Sequence, residues 1–457
     1  MTARIARARV HRSREGRVPR DISTGIQSRR GVALILVLTT IAILTSIAVD
    51  FGYQSRVSLR LTENARDELR AYYLARSAVN LSRLLLHFQR QVDQMGGQLG
   101  PILSKLLGPQ TGTGTPAGGA VNPPQPGAPA PASNLGIRLW EILPVDSNAM
   151  TALLGGGDVS SLSATPKTYA PETARPQIQG PPMHAFGSFQ GAFSAQIVDE
   201  NSRINVRGLD GLGLTPLATL TQLRAMMNDP KYDFIFDEED ANRDRVRRDD
   251  VILAMKDWID IDETGTALDP SNPTNPFVNG FSDENAAYDR YTPRYKAKNA
   301  PFDSLEELCM VRGVNDRFMA AFGERLSVWL DVNAKLNINT NDPLQMLTNI
   351  LSVAANPNDP KLRDPRLLQI VLQEIQVRKM FSFLGLAPQD FLAILTANGI
   401  AVNPTLLNTT SPNNFLTSTS DTFRITATGR VGRIEKKVTA VVRYDDQLGK
   451  LLYWKED

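Results

Sequence analysis

The chain has 457 residues, of which 42% are hydrophobic and 21% charged, and its formal net charge is +2. This composition is typical of a largely folded protein, and the length allows more than one domain. A charge balance this close to neutral argues against a dominant nucleic-acid footprint, which needs a basic surface, and the single Cys309 excludes an intrachain disulfide.

Eighteen consecutive uncharged residues, Val32 to Val49, follow a basic N-terminal stretch. At about 1.5 Å per residue, a helix of this length spans about 27 Å, close to the ~30 Å hydrocarbon core of a bilayer. Residues 1–30 contain nine Arg and two acids, so the positive-inside rule predicts a cytoplasmic N-terminus and a C-terminal bulk beyond the membrane. The run therefore predicts a single membrane crossing.

An ordinary secretory signal peptide is the alternative interpretation of this region. Its apolar segment usually has only about 7–15 residues and is followed by small residues at a cleavage site. Here the run leads directly into Asp50, and only Thr45, Ser46 and Ala48 offer weak cleavage positions. Cleavage before the apolar run, at Gly31, would instead retain the membrane helix.

The pattern beyond the apolar run predicts an amphipathic stalk helix that continues to residue 95. Apolar residues recur there at spacings of 4, 3, 4 and 3, which places them on one helical face. They are Leu74, Ala78, Leu81, Leu85 and Phe88, with Arg76, Arg83 and Gln89 on other faces. We expect the C-terminal part of this face to pack on the globular part of the same chain.

Two segments rich in Pro and Gly are predicted to be loops. The first, from Gly108 to Ser133, contains no charged residue, and the second, from Gly155 to Pro182, contains three consecutive glycines. Segments of this composition cannot bury enough apolar surface to offset their ordering entropy. Neither has the pattern of a binding motif, and the first separates the stalk helix from the first strands.

Alternating residues predict strands on both sides of a central block. Residues 186–206 are rich in Phe, Ile and Val, and a hairpin is predicted near the C-terminus with its turn at 429–432. The inward positions of this hairpin are Phe423, Ile425, Ala427, Val438, Ala440 and Val442. We expect one face of the hairpin to lie on the stalk helix.

The block between these strands is predicted to be mainly helical, which favours an insertion into a small sheet. The predicted helices are Leu217–Met227, Val246–Ile259, Ser304–Val311 and Arg317–Phe322. Ser304 and Glu307 have the spacing of a capping box, and Gly313 can end the helix in the left-handed conformation.

Residues 302–314 support two interpretations. Their sequence is similar to a helix-hairpin-helix, in which a Gly-containing turn presents backbone amides to a DNA phosphate. Only Arg312, Arg317 and Arg325 lie close by, however, so the charge pattern favours packing or a subunit contact over DNA binding.

The junction between Gly31 and Val32 resembles that of a type IV pilin or type II secretion pseudopilin precursor. A short basic leader ends in Gly, and a long apolar helix follows. In that family prepilin peptidase cuts after the Gly and methylates the new N-terminus, so the resemblance implies processing at Gly31 and a methylated Val32. Most members have Glu as the fifth mature residue, whereas this chain has Leu36.

The missing acid makes the chain similar to the K-type minor pseudopilin, general secretion pathway protein K. A buried carboxylate is costly without a partner, and a subunit at the tip of a fibre can lack this carboxylate. Further phrases resemble the same family, namely Ala71–Ala78, Asp257–Glu263, Asn337–Asn341 and Tyr453–Glu456. The sequence Asn341-Asp342-Pro343 departs in part from the usual continuation of the third phrase.

The resemblance implies an α+β fold in which a long, pilin-like N-terminal helix packs on a small antiparallel sheet. A large α-helical insertion, SAM-like or helix-hairpin-helix-like, interrupts that sheet. The implied divisions are a leader at 1–31, a transmembrane and stalk helix at 32–95, a linker at 96–135, a first pilin-like part at 136–206, the insertion at 207–335 and the remainder with its hairpin at 336–457.

The function implied by the resemblance is that of a minor pseudopilin at the tip of the type II secretion pseudopilus. It would start assembly with the I-type and J-type minor pseudopilins, and its further partners would be the major pseudopilin, prepilin peptidase and the inner-membrane secretion platform. The implied location is the bacterial inner membrane, with one crossing and a periplasmic globular part. Processing would change the net charge from +2 to −5 before the new amine is counted. A minor pilin of a type IV pilus or DNA-uptake apparatus is the closest alternative.

An acidic cluster is the one candidate chemical site. Its members are Asp260, Asp262, Glu263, Asp283 and Glu284. They offer hard oxygen ligands of the kind that Ca²⁺ prefers, and the K-type family binds calcium in its insertion, so the resemblance implies calcium as the ligand. The segment Asp240–Asp244 fails as an EF-hand because Arg245 and Val251 replace the required Gly and Glu. The alternative for both segments is a solvated acidic face.

The sequence gives little support to an enzyme. The processed chain would retain only His87 and His184, which are far apart, and it contains no Walker-type glycine loop. Paired acids could in principle serve a secreted, metal-dependent hydrolase. The membrane helix and stalk argue against that alternative.

Overall fold

A computed structural model describes residues 25–106, 138–154, 191–237, 245–269, 271–272, 275–381, 385–408, 414–445 and 449–457. Residues up to Arg66 form one unit, and residues from Asp67 onwards form a second. Most of the predicted leader, the predicted loops at Gly108–Ser133 and Gly155–Pro182, and the Asp240–Asp244 segment lie outside the described residues.

The N-terminal helix α1 runs from Gly25 to Leu106. In the first unit its apolar residues are exposed, as Leu36 at 60% and Leu44 at 65% illustrate. By length and composition, Gly31–Gln91 is the helical segment within the described ranges that can cross a membrane. The helix therefore extends beyond the predicted end at residue 95.

In the second unit, one face of α1 is buried against a sheet. The buried positions are Ala71, Leu74, Ala75, Ala78, Val79, Ser82, Leu86 and Gln89. The predicted inward positions Leu74 and Ala78 are confirmed, but Phe88 is 49% exposed and the prediction for it was wrong. Gln89 lies inward instead, because its Oε1 accepts a hydrogen bond from the backbone amide of Leu139 at 2.6 Å.

This sheet has five antiparallel strands in the order β1-β2-β9-β10-β11. Their bounds are β1 Val145–Asp146, β2 Ala192–Asp199, β9 Thr422–Val431, β10 Ile434–Arg443 and β11 Lys450–Glu456. Two short helices, α2 Leu139–Ile142 and α3 Ser147–Leu154, flank β1. The predicted inward positions of β9 and β10 are all buried, which confirms both the hairpin and its face on the helix.

The turn of this hairpin differs from the prediction. Gly432 and Arg433 form a two-residue connection, with Gly432 at φ 58°, a conformation that glycine adopts without strain. Gly429 lies inside β9, where it faces α1 rather than solvent.

The first helical region interrupts the sheet between β2 and β9. It contains β3 Ile204–Asn205, α4 Thr215–Met227, α5 Asp233–Asp237, α6 Arg248–Ile259, β4 Thr264–Leu268, β5 Phe277–Asp283, α7 Asp316–Phe322 and β6 Leu326–Ser327. Single 3-10 turns lie at Val206–Asp210, Pro230–Tyr232, Glu284–Ala287, Glu306–Met310 and Gly323–Arg325. One core joins these elements, with Leu223, Met255, Leu308 and Phe318 among its fully buried members.

Two details of this region differ from the predicted helices. The expected helix at Ser304–Val311 is only the 3-10 turn Glu306–Met310, and Glu307 reaches back to the amide of Asp303, 2.7 Å away, rather than to that of Ser304. Ser304 still caps the turn, since its Oγ accepts from the Glu307 amide at 3.3 Å. The antiparallel hairpin of β4 and β5 was not predicted.

A second helical region follows, within the residues assigned to the remainder of the pilin-like domain. It comprises β7 Leu336–Asn337, α8 Pro343–Val353, α9 Pro365–Phe381, α10 Pro388–Ala397 and β8 Leu416–Thr417, with 3-10 turns at Pro360–Arg363 and Pro404–Leu407. A separate apolar core holds it together, including Ile350, Val371 and Phe391. The structure thus confirms an α+β fold with a long helix on a small antiparallel sheet and shows two helical regions where one was expected.

Candidate functional site

Three carboxylates meet where α6, β4 and β5 converge. Asp257 lies in the last turn of α6, Asp260 follows its end, and Glu284 follows β5. One oxygen of each residue lies within 4.8 Å of the others. The backbone amide of Thr266 in β4 donates to Asp257 Oδ1 at 2.8 Å, which fixes the hairpin to the helix.

The cluster contains buried oxygens that lack hydrogen-bond donors. Glu284 is 5% and Asp260 7% exposed. Within the part of the chain that the structure describes, both oxygens of Glu284 and Oδ1 of Asp260 have no hydrogen-bond partner. Buried carboxylate oxygens normally have donors or bind a cation, so these three atoms are candidate ligands of a cation.

Lys256 compensates only part of the negative charge. Its Nζ donates to Asp210 Oδ1 at 2.8 Å and to Asp260 Oδ2 at 2.9 Å. Burial lowers the pKa of Lys256, but the two hydrogen-bonded carboxylates outweigh it and the pKa is raised. The ammonium therefore stays charged, yet it contacts neither Asp257 nor Glu284 by a hydrogen bond.

The protonation behaviour of the three acids reflects their crowding. Burial raises the pKa of Glu284 to about 7; the Asn299 side chain opposes this shift, and the charges of Asp260, Asp257 and Asp262 increase it. Burial likewise raises the pKa of Asp257 and of Asp260. Such shifts are expected where carboxylates converge without a compensating cation.

The structure brings together two of the five predicted ligands, Asp260 and Glu284. Asp262 accepts from the Thr264 amide at 2.8 Å, and Asp283 accepts from the Asn285 amide at 2.9 Å, so both cap local turns. Glu263 is exposed and lies 3.9 Å from Lys296. These three residues are not in the cluster of converging oxygens.

Asp257 is the member that the sequence prediction missed. It belongs to the phrase Asp257–Glu263, in which Asp260 comes three positions after Asp257. On a helix this spacing places two side chains on the same face, which was the available signal. Glu284 joins these two residues only through the hairpin of β4 and β5, which was not predicted.

The donor set fits a hard cation. Three carboxylates converge, and the Asn299 side chain lies beside them, with its Nδ2 donating to the Asp262 carbonyl at 2.7 Å. Asn299 Oδ1 is buried and has no donor among the described residues, so it is a further oxygen available to a cation. Oxygen ligands of this kind suit Ca²⁺, which takes about six to eight, better than zinc, which prefers nitrogen and sulfur.

An aromatic cluster lies beside the acids. Trp258 stacks on Phe302 with ring centroids 6.4 Å apart and meets Tyr288 edge-on at 5.7 Å. The Trp258 indole donates to Glu307 Oε1 at 3.0 Å, and Lys298 pairs with the same oxygen at 2.9 Å. The site is thereby connected to the turn that Ser304 caps.

The helix-hairpin-helix-like segment is mainly a packing element. Gly313 has φ 82°, as predicted, and a Cβ there would lie 2.8 Å from side-chain atoms of Val246 and Val251. Its turn is therefore packed against α6 and the residues before it. This contact supports the packing interpretation of the segment.

The predicted processing position lies within α1. Gly31 and Val32 are exposed, and a Cβ on Gly31 would contact nothing within 4 Å. Packing within the chain therefore does not explain why residue 31 is a glycine.

The phrase Asn337–Asn341 joins separate parts of the chain. Asn337 Nδ2 donates to Asp199 at 2.9 Å and to Ser420 at 2.7 Å. Asn339 exchanges two hydrogen bonds with the backbone of Leu386, at 3.0 and 2.8 Å. Asn337 thus joins the sheet to the second helical region, and Asn339 joins two segments within that region, so the phrase is structural.

No family model and no curated protein matches this chain. Among solved structures, the chain is similar to a chain in the crystal structure of the GspK-GspI-GspJ complex of the Type 2 Secretion System from enterotoxigenic Escherichia coli. The match has 16% sequence identity, covers 59% of this chain and 80% of that chain, and has a TM-score of 0.39. At this level of similarity, the fold assignment rests on the elements of the chain itself.

Proposed function

We propose that the chain is a minor pseudopilin of the K type, which is processed after Gly31 and assembles at the tip of a type II secretion pseudopilus. The observation that carries this proposal is the continuity of α1. A single helix contains the exposed apolar segment after Gly31 and, further along, the face that packs on the antiparallel sheet. This arrangement suits a subunit whose helix lies first in a bilayer and later in a fibre.

Leu36 supports the tip position. A carboxylate at this position would be buried in the fibre and would need a partner such as the amine of a neighbouring subunit. A subunit with no neighbour above it has no such requirement. The two helical regions add bulk beside the sheet, which is compatible with the end of a fibre and would obstruct stacking within it.

The proposed partners are the I-type and J-type minor pseudopilins, with the major pseudopilin below them. Prepilin peptidase would process the chain before assembly, and the inner-membrane secretion platform is a further proposed partner. The chain would cross the inner membrane once, with its N-terminus in the cytoplasm, because the nine Arg of the leader precede the apolar segment. In this role the protein positions other subunits and catalyses no covalent change.

Calcium is the proposed ligand of the acidic cluster. Asp257, Asp260 and Glu284 would hold it, with Asn299 available as a further oxygen donor. Bound there, the ion would neutralise the converging carboxylates and join α6 to the hairpin of β4 and β5. Its role would be to stabilise the first helical region.

Mass analysis of the mature N-terminus tests the processing step. In cells with prepilin peptidase we expect a methylated Val32 at the N-terminus, and in cells without it an intact leader. Gly31→Leu should block cleavage without affecting folding, since a side chain at this position meets nothing within 4 Å. Unprocessed Met1 in functional protein would overturn the proposal.

Co-purification tests the assembly. Full-length chain extracted in mild detergent should retain I-type and J-type pseudopilins. Recovery of type IV pilins in their place would identify the closest alternative, a minor pilin of a type IV pilus or DNA-uptake apparatus.

A further inference from the structure

The hairpin of β4 and β5 contains a large bulge. Thr264 pairs with Asp283 and Thr266 with Asn279, so Gly265 alone lies opposite three residues, 280–282. Position 280 needs glycine, because a Cβ there would be 2.6 Å from the Gly265 carbonyl oxygen. A Cβ on Gly265 would be 2.5 Å from Ser282 Oγ, the end of a side chain that can rotate away. Bulges of this kind redirect the side chain of an extra residue.

The redirected side chain is Phe281, which is fully exposed at 108%. Val278 on the same strand is 40% exposed, and Ile261, just before β4, is 89% exposed. Isolated exposed apolar residues are common on proteins. A fully exposed aromatic ring that follows an obligatory glycine in a bulge is a more specific arrangement, because aromatic rings are the usual anchors of protein interfaces.

The segment of the sequence that contains Phe281 carries only negative charges. Between Lys256 and Arg290 the sequence contains no Lys or Arg. The acids in that interval are Asp257, Asp260, Asp262, Glu263, Asp269, Asp283, Glu284 and Asp289. Of these acids, Asp262, Glu263, Asp283 and Asp289 are exposed, and one cation, Lys296, lies 3.9 Å from Glu263. The exposed charge of this segment is therefore negative on balance, which disfavours anionic lipids and nucleic acids and favours a basic partner surface.

The base of the hairpin is well anchored. Asp257 in α6 accepts from the Thr266 amide at 2.8 Å. Asp260 precedes β4 and Glu284 follows β5, so both lie at the open end of the hairpin. An exposed anchor on a fixed base loses little entropy when it is bound, which favours recognition by a preformed pocket.

We propose that Phe281 is the anchor of a protein-docking surface, and that its partner is a protein with an apolar pocket bordered by Lys and Arg. Phe281 fills the pocket, while Glu263 and the neighbouring exposed acids face the basic border. The proposal goes beyond the assembly role above, since it concerns a surface formed by the first helical region and makes no use of the membrane helix.

Photo-crosslinking in living cells tests the proposal. The full-length chain would carry p-benzoylphenylalanine at position 281 and, as a matched control, at position 370, where Ile370 is 55% exposed on α9. We expect a protein adduct from position 281 and none of comparable yield from position 370. The attachment site on the partner, mapped by mass spectrometry, should be apolar with Lys or Arg beside it.

Charge and ring variants complete the test. Glu263→Lys, placed in the background of the photo-crosslinker at 281, should reduce the adduct yield. With the purified partner, Phe281→Ser should weaken binding about 10- to 100-fold, whereas Asn279→Ser on the same strand should leave it unchanged. Equal yields at 281 and 370, adducts with lipid or nucleic acid, or a mapped site without basic residues would each overturn the proposal. Processing at Gly31 is measured separately, so failure of one proposal leaves the other distinguishable.

Discussion

Gly429 and Ala71 bring the sheet and the long helix into direct backbone contact. A Cβ built on Gly429 would lie 2.0 Å from the carbonyl oxygen of Ala71 and 2.6 Å from the amide nitrogen of Ala75. Both Ala71 and Ala75 are fully buried. Small residues on both sides thus allow β9 and α1 to approach more closely than side chains would permit.

We expect Gly429→Ala to destabilise the second unit by about 3 kcal/mol, because the new methyl group overlaps helix backbone that cannot rotate away. Urea unfolding of the full chain in detergent measures the effect. Gly52→Ala is the matched control, since a Cβ there contacts nothing within 4 Å. If both variants unfold at the midpoint of the parent chain, the close packing of β9 on α1 is incorrect.

Alternation made the hairpin of β9 and β10 predictable. Phe423, Ile425 and Ala427 alternate with polar residues because one face of the sheet contacts α1 and the other does not. The same pattern placed Gly429 in the turn, whereas it lies inside β9 and faces α1. A glycine near a turn usually serves the turn, and only the position of α1 shows that this one serves a helix contact.

The candidate site was only partly predictable. Sequence spacing pairs Asp257 with Asp260 on one helical turn, but Glu284 joins them only because β4 and β5 fold back on α6. Likewise, Gln89 was placed on an outward face, and its burial depends on the distant Leu139 amide that it accepts from. Contacts between segments far apart in the chain decide such cases, and a local pattern does not contain them.

Asn201→Ala should lower the free energy of unfolding by about 2–3 kcal/mol. Asn201 is 3% exposed, and its Oδ1 accepts from the amides of Thr422 at 3.0 Å and Asp421 at 3.3 Å. Removal of the side chain leaves the buried Thr422 amide without this acceptor, which costs more than an average hydrogen bond contributes. Asn279→Ala, at an exposed position, should change the unfolding free energy by less than about 0.5 kcal/mol. Equal effects of the two variants would contradict the role of Asn201.

Asp199 should make stability depend on pH. Burial raises its pKa to about 6, against an ordinary value of 3.8, although hydrogen bonds from Ser420, Asn337 and Asn201 oppose the shift. Because the folded state holds the proton more tightly, this group adds stability at acidic pH, fully below pH 3.8, and the contribution is lost as the pH rises through 6. Between pH 5 and pH 8 the loss amounts to about 1 kcal/mol.

Urea unfolding at pH 5 and pH 8 compares the parent chain with Asp199→Asn. The variant cannot ionise at this position, so its stability should decrease less over this interval, although it will be less stable at both pH values because its amide opposes the Asn337 donor. An unchanged difference between parent and variant at the two pH values would show that Asp199 does not titrate in this range.

Glu284→Gln should have opposite effects in the absence and presence of calcium. Without the ion, the substitution removes a buried carboxylate whose pKa is raised to about 7, and we expect the variant to be more stable than the parent chain above that pH. With calcium at about 100 times its dissociation constant, the parent chain should gain about 2.7 kcal/mol, whereas the variant should gain far less. Thermal unfolding with calcium and with a chelator measures both effects on stability.

Glu263→Gln is the control for this prediction. Its carboxylate is exposed and lies outside the cluster, so the calcium response of this variant should equal that of the parent chain. Terbium provides a second measurement, because Tb³⁺ occupies calcium sites and emits when a nearby aromatic ring is excited. Trp258 adjoins Asp257 in sequence, so excitation of tryptophan should produce terbium emission that calcium displaces and that Glu284→Gln abolishes. Emission retained in Glu284→Gln and lost in Glu263→Gln would assign the ion to the exposed acids instead of the buried cluster.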